Sequence, residues 1–251
     1  CALPIYNSLS NKVVGSVCVD NENRLWVGTD GSGINVFEKD KRIAVYKKET
    51  GHLQDNSILS SFCDSDGNLW FGTFRGSISF YDMHRRTFQA INPGGDSHLD
   101  VRVFYQDAKR NIWIGTNNGL FVYNMDSRHV IKHYDKLHGS LIRCISQDSK
   151  GRFWIGTFGD GLGIYTPDLK LIKWFVQREG FPSNTINQII RDREGQIWVA
   201  TGEGLVRFAS ANSFSYQTYQ RKDGLHNTFV RALIEDSGGN IWISTNTGIS
   251  C

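Results

Sequence analysis

Three arginines and an asparagine, Arg102, Arg143, Arg231 and Asn187, each stand eleven residues before a tryptophan of a recurring motif; Gly15 and Leu59 hold the same place in two further copies. A guanidinium is a rigid, planar fork of donors. Several of them gathered at one mouth would bind an anionic or polyhydroxylated ligand. The alternative is that each pairs with a neighbouring carboxylate or caps a carbonyl. Phe74 with Arg75, and Phe158 with Asp160, fall in loops of one recurring class and are candidate aromatic and polar partners, although a loop Phe can also pack on the adjacent repeat. The candidate ligand-binding set is therefore Phe74, Arg75, Arg102, Arg143, Phe158, Asp160, Asn187 and Arg231.

Other chemistries find less support. His52, His98, His138 and His226 lie in loops between repeats, with no HxH or HxxxH spacing among them. A metal needs its nitrogen ligands within about 2.0–2.1 Å of one ion, so solvated loop histidines are expected, and neither a metal nor a cofactor. The five cysteines are odd in number and lack CxxC spacing, which argues against a zinc site or a disulfide framework. Cys18, Cys63 and Cys144 sit in apolar strand patterns and read as buried free thiols. No GxSxG, P-loop or Ser/His/Asp grouping occurs, and no pair of carboxylates stands out, so no catalytic residue is assigned and the chain is not expected to be an enzyme.

Composition narrows the class further. With 39% hydrophobic and 21% charged residues the chain is an ordinary globular sequence, and its 251 residues suit one all-β domain. A net charge of +3, with Lys and Arg scattered, gives no concentrated stripe for a nucleic acid. No stretch approaches the ~18 consecutive apolar residues of a membrane span. The chain begins at Cys1 rather than a methionine, which reads as a fragment of a longer protein, so missing targeting signals say nothing of location.

The elements that must carry the candidate residues are legible in a repeat. Trp26, Trp70, Trp113, Trp154, Trp198 and Trp242 recur every 41–44 residues. Six residues before each stands an Asp (Asp20, Asp64, Asp107, Asp148, Asp192, Asp236), three after each a Thr, and twelve before each a Val or Ile. Inside one unit the turn residues separate four short strands, "SILSSFCD", "NLWFGT", "SISFYD" and "TFQAIN" in the second copy. A four-stranded unit recurring at ~40–45 residues is the signature of a propeller blade. Such a sheet cannot bury both faces alone, and stacking blades around an axis covers them.

The fold expected is all-β, a β-propeller of four-stranded antiparallel blades with six repeats present. "DSDG" reads as the tight turn between the first two strands, its Asp accepting from backbone N–H groups and Gly67, Gly151, Gly195 and Gly239 taking the positive-φ position, which Asn23 and Arg110 fill elsewhere. An EF-hand reading of "DSDGN" fails for want of the distal Glu and flanking helices. Loops between strands two and three share a face with those between blades. They vary most, with an extra residue expected in blades one and four, and binding normally resides on such loops. Residues 2–6, "ALPIY", resemble a fourth strand. They would either close a six-bladed ring or belong to a truncated seven-bladed one. Pairing as in blade one sets Ile249 near Tyr6 and leaves Cys1 roughly 10 Å out of register with Cys251, too far for a disulfide.

The segments "SNTINQIIRDREGQIWVATGEGLVRF" (183–208) and "GLHNTFVRALIEDSGGNIWISTNTGIS" (224–250) resemble the two-component regulator propeller repeat almost end to end, and the likeness covers the whole chain. It implies the periplasmic sensor region of a hybrid two-component histidine kinase. Paired propellers, homodimers, neighbouring signalling domains and recognition of an oligosaccharide follow from the same likeness. It assigns no ligand residues of its own, and the alternatives to a sensor are a propeller-fold lyase or hydrolase and a purely structural protein-interaction propeller.

Overall fold

The Asp of each repeat does more than turn the chain. In the second repeat Asp64 Oδ1 accepts from the N–H groups of Asp66 and Asn68, both at 2.9 Å, while Oδ2 accepts from the indole of Trp70 at 2.8 Å. The same indole-to-carboxylate bond, 2.7–2.9 Å long, recurs in all six copies. One carboxylate thus fixes the turn and orients the largest apolar side chain on the next strand. The expected positive-φ position is occupied in every copy, by Gly67, Gly151, Gly195, Gly239, Asn23 and Arg110. At the strand's other end the Thr hydroxyl donates to a carbonyl across the following loop, again six times.

A computed structural model describes residues 9–95, 98–135, 137, 139, 141–209 and 213–251. Its described elements are β-strands apart from two short 3-10 turns. The chain divides into two compact units, Cys1–Asp135 and Lys136–Cys251. The first holds three antiparallel meanders: β1 (Val14–Val19), β2 (Arg24–Thr29), β3 (Ile34–Glu38) and β4 (Lys41–Tyr46); β5 (Ile58–Cys63), β6 (Leu69–Thr73), β7 (Ile78–Asp82) and β8 (Thr87–Ile91); β9 (Val101–Gln106), β10 (Asn111–Thr116), β11 (Gly119–Asn124) and β12 (His129–Tyr134). The second holds β13 (Ile142–Gln147), β14 (Phe153–Thr157), β15 (Leu162–Tyr165) and β16 (Leu171–Phe175), then β17 (Ile186–Arg191), β18 (Ile197–Thr201), β19 (Gly204–Phe208) and β20 (Gln217–Tyr219), and last β21 (Val230–Glu235), β22 (Ile241–Thr245) and β23 (Ile249–Ser250).

These are the blades the repeat demands. Residues 2–6, Cys1 and His138 lie outside the described residues, so the closing strand and the Cys1–Cys251 register fall there too. In the first unit β1 packs against β5 and β5 against β9; in the second β13 packs against β17 and β17 against β21. The core sits between blades. Trp26 meets Phe71 and Tyr81 of the next blade, Trp70 meets Phe104 and Tyr123, and Trp154 meets Phe208.

Burial follows the neighbour rather than the residue type. Trp26, Trp70 and Trp154 are at most 1% exposed, whereas Trp242 in the sixth blade is 44% exposed beside Ile234 and Ile249. Val14 is likewise half open, although its counterparts Ile58, Val101, Ile142, Ile186 and Val230 are buried.

Candidate ligand-binding face

Position eleven before the Trp has a backbone cause that spacing alone does not disclose. In every blade the pairing of the first strand with the second skips one residue: Val14 pairs Thr29 and Ser16 pairs Gly28, and the skipped residue is Gly15. The same skip leaves out Leu59, Arg102, Arg143, Asn187 and Arg231. Each candidate in that column is therefore the extra residue of a β-bulge, a device that re-aims a side chain where a strand ends. In blade one only glycine fits, since a Cβ on Gly15 would lie 2.1 Å from the Ile58 carbonyl oxygen of the next blade.

The loops that flank the bulges share one face within each unit. Phe74 N–H donates to the Ser57 carbonyl and Phe158 N–H to that of Leu141, which ties each loop after strand two to the entry of its own blade. Gly33 N–H donates to Asn56 and Gly161 N–H to Asn184, which ties it to the loop leading into the next blade. The loop lengths need one correction. Blade two also has the longer form, because Thr73 closes its loop on Ser77, four residues on, as Thr29 does on Gly33 and Thr157 on Gly161. Ser77 takes the left-handed position that glycine holds in the other two, and its hydroxyl donates to the Ile91 carbonyl. Gly76, the residue that made the loop look short, is not the structural equivalent of those glycines.

In the first unit the structure assembles three candidates around a residue that the sequence reading passed over. Asp100, itself buried, accepts from the backbone N–H of Arg75 at 3.1 Å and from Arg102 Nη2 at 3.2 Å. Arg75 also lies over the exposed Phe74 ring, 5.2 Å from its centroid. The signal for Asp100 was available: it is the one acidic residue among those directly preceding the twelve-before Val or Ile, where the other blades carry Val13, Ser57, Leu141, Thr185 and Phe229.

In the second unit Arg143 lies over Phe158 at 5.2 Å, and Phe158 is 51% exposed. Arg231 lies over Phe229 at 5.5 Å and donates from Nε to Asn246 Oδ1 at 2.5 Å. Arg75–Phe74, Arg143–Phe158 and Arg231–Phe229 make three guanidinium-over-ring pairs. Asp160 is exposed at the loop tip, with its N–H bonded to Thr157 Oγ1. Asn187 is different: its amide donates to the Val230 carbonyl of the next blade at 2.6 Å, so it ties blades together.

His52 is not the solvated loop residue expected. Its ring lies 5.1 Å from Tyr46 and 5.8 Å from Phe88, in the aromatic cluster between the first two blades. The HxxxH spacing that the sequence does contain, His129 and His133, lies on the extended β12, which puts the two about 13 Å apart. No group of three metal-ligating side chains occurs among the described residues. Burial pushes the Cys144 and Cys18 thiols up to about 12, as suits small apolar side chains rather than nucleophiles. No described helix is long and apolar enough to cross a membrane.

Antiparallel meanders stacked side by side within each unit, with bulged inner strands and variable loops at one end of them, define the chain as a β-propeller. Six segments, 8–31, 52–75, 95–118, 136–159, 180–203 and 224–247, match the two component regulator propeller family, and the chain belongs to it. Each segment spans the loop entering a blade, its first two strands and the loop after them. The chain is similar to the extracellular domain of a hybrid two-component system from B. thetaiotaomicron, with 58% identity over 96% of this chain and 33% of that one, at a TM-score of 0.91. It is 29% identical to histidine kinase P4 of Formosa agariphila over 59% of this chain and 12% of the relative. It therefore spans about a third or less of either relative's length. Virginiamycin B lyase from Staphylococcus aureus shares the fold alone, at 15% identity and a TM-score of 0.73 over 96% of this chain and 85% of the lyase.

Proposed function

We propose that this chain is a ligand-sensing propeller in the extracytoplasmic part of a hybrid two-component histidine kinase, and that the loop face carrying the guanidinium–ring pairs recognises an oligosaccharide. The observation that carries the sensor reading is the 58% identity, over 96% of the chain, to an extracellular domain of such a system. The site chemistry supports the ligand class. A half-exposed ring with a guanidinium over it offers an apolar platform for the C–H face of a sugar and forked donors for its hydroxyl or carboxylate oxygens. The periplasm is the compartment this reading implies. Transmission follows from unequal affinity: the ligand stabilises whichever packing of neighbouring domains, or of two copies, it binds better. The lyase likeness supports no second reading, because fold alone does not fix function.

Thermal-shift screening against a glycan panel, followed by calorimetry on the hits, tests this. Arg143→Ala is expected to weaken binding by at least tenfold with little change in Tm. A full-length ectodomain that responds to no glycan would overturn the ligand class. Binding left intact in Arg143→Ala, Arg75→Ala and Arg231→Ala alike would overturn the face.

A further inference from the structure

A cleft of about 630 Å³ opens between the second and third blades, reaching from Asp66 to the inter-blade residues Asn92, Pro93 and Gly95 and lined by none of the eight candidate residues. Its size is that of a small-molecule site. Its cause is a local break in the repeat. Between the first and second blades the outer strands contribute two rings: Tyr46, stacked on Trp26 at 5.7 Å, and Phe88, 4.9 Å from Tyr46. Between the fourth and fifth blades Phe175 and Tyr216 do the same, 5.9 Å apart. Strand register identifies the equivalents at the cleft. Ile91 pairs with Ile78 as Tyr46 pairs with Ile34 and Phe175 with Leu162, and Val130 pairs with Tyr123 as Phe88 pairs with Tyr81. Both rings are thus replaced by aliphatic side chains at this one gap, and both replacements line the cleft.

The remaining walls suit an incoming ring. Phe80 and Tyr123 are partly buried and meet Trp70 edge to face at 4.9 and 5.4 Å. Such edge-to-face pairing is the geometry that aromatic rings favour. Phe80 covers one side of Trp70 without filling the space. Polar groups rim the opening, among them Asn68, Asp82, Gln89 and His129. The Asp82 carboxylate accepts from the Arg85 N–H at 2.8 Å through Oδ1, while Oδ2 stands 3.9 Å from Arg85 Nε, which leaves it an acceptor for a further hydroxyl. Arg110 of the third blade grips Asp66 of the second with two bonds of 2.8 and 2.7 Å, and so pins one end of the cleft at fixed width.

We propose that this cleft binds a small hydroxylated aromatic molecule, whose ring takes the place that Tyr46 and Phe88, or Phe175 and Tyr216, fill elsewhere and whose hydroxyl donates to the Asp82 carboxylate. The site stands independently of the sensor reading.

The test uses the 251-residue chain with p-cresol as probe, cyclohexanol as a non-aromatic control of similar size, and saturation-transfer NMR as readout. The wild type should bind p-cresol saturably and cyclohexanol at least tenfold more weakly. Ile91→Tyr restores the ring found in the other blades and should abolish p-cresol binding while raising Tm; Val130→Phe should do the same should Ile91→Tyr fold poorly. Arg143→Ala, on the loop face, should bind p-cresol as the wild type does. The proposal fails if p-cresol does not bind the wild type, if it binds the filled variants equally, or if cyclohexanol binds as well as p-cresol. Any of these would make the cleft a packing vacancy held open by Arg110.

Discussion

Replacing Asp64 by alanine separates the structural work of the motif carboxylate from its chemistry. The substitution removes the acceptor of the Trp70 indole and of the Asp66 and Asn68 backbone N–H groups together. Trp70 is 1% exposed, so water cannot replace the lost acceptor, and an orphaned buried donor costs about 1–3 kcal/mol. The two turn amides lie nearer solvent and add about 0.5–1 kcal/mol each. The expected loss is about 2–5 kcal/mol, which at a urea m-value near 2 kcal/mol per molar lowers the midpoint by roughly 1–2.5 M.

The sixth blade supplies the internal control. Asp236 makes the corresponding bonds, to Gly238 and Asn240 N–H and to the Trp242 indole, but Trp242 is 44% exposed and water takes over each donor. Asp236→Ala should therefore shift the midpoint far less than Asp64→Ala, although the two motifs are drawn with the same hydrogen bonds. Urea titrations followed by far-UV circular dichroism measure both. Equal shifts would refute the reasoning, because they would show that the bonds, not their burial, set the cost.

Three further outcomes are expected. Burial alone would raise the Asp20 and Asp148 carboxyls, but indole and arginine bonds bring both below the ordinary range; the stability each adds is present above the unfolded value near 3.9 and lost as pH falls through the folded one, so Tm should drop steeply below about pH 4 and less steeply in Asp20→Asn. Arg75 holds a left-handed φ of 53° where blades one and four carry Gly31 and Gly159, so Arg75→Gly should raise stability by about 1 kcal/mol in urea titration while weakening ligand binding; a destabilised variant would contradict the strain. A maleimide should label the exposed Cys251 in the native protein and reach Cys144 only after unfolding, as mass spectrometry of the digested chain would show.

Strand positions and turns were legible because four columns recur without exception, and each column has a single structural duty. Asp, Trp and Thr answer to bonds within one blade, and the twelve-before Val or Ile to the first strand's pairing. The bulge was not legible. It inserts one residue in every copy alike, so spacing stays constant and carries no mark of it. The loop of blade two was misjudged for a related reason: Ser77 adopts a conformation that glycine advertises and serine conceals, while Gly76 stood one place away as a decoy. The single acidic residue of its column marks Asp100, but its bond to Arg75 and that of Asn187 to Val230 were hidden because they depend on which residues of adjacent blades meet. His52 was misread because its position in a loop said nothing of the ring cluster beneath it.

The bulge also explains how one repeat can hold a scaffold constant and vary recognition. The skipped residue is left out of the pairing with the neighbouring strand, so across the blades it is Gly, Leu, Arg or Asn while flanking pairs such as Val14–Thr29 and Ile142–Thr157 are kept; the next blade limits it only at Gly15, where a Cβ would meet Ile58, and at Asn187, which bonds to Val230. It sits directly beside the loop that carries Phe74 or Phe158. A change there alters the face presented to a ligand and leaves the Trp–Asp bond within each blade untouched. Ile91 and Val130 show the converse. They alter positions within the packed gap itself, and the result is a cleft of about 630 Å³ rather than a new loop surface. Variation at the bulge changes what the surface offers, and variation in the gap changes what the interior can admit.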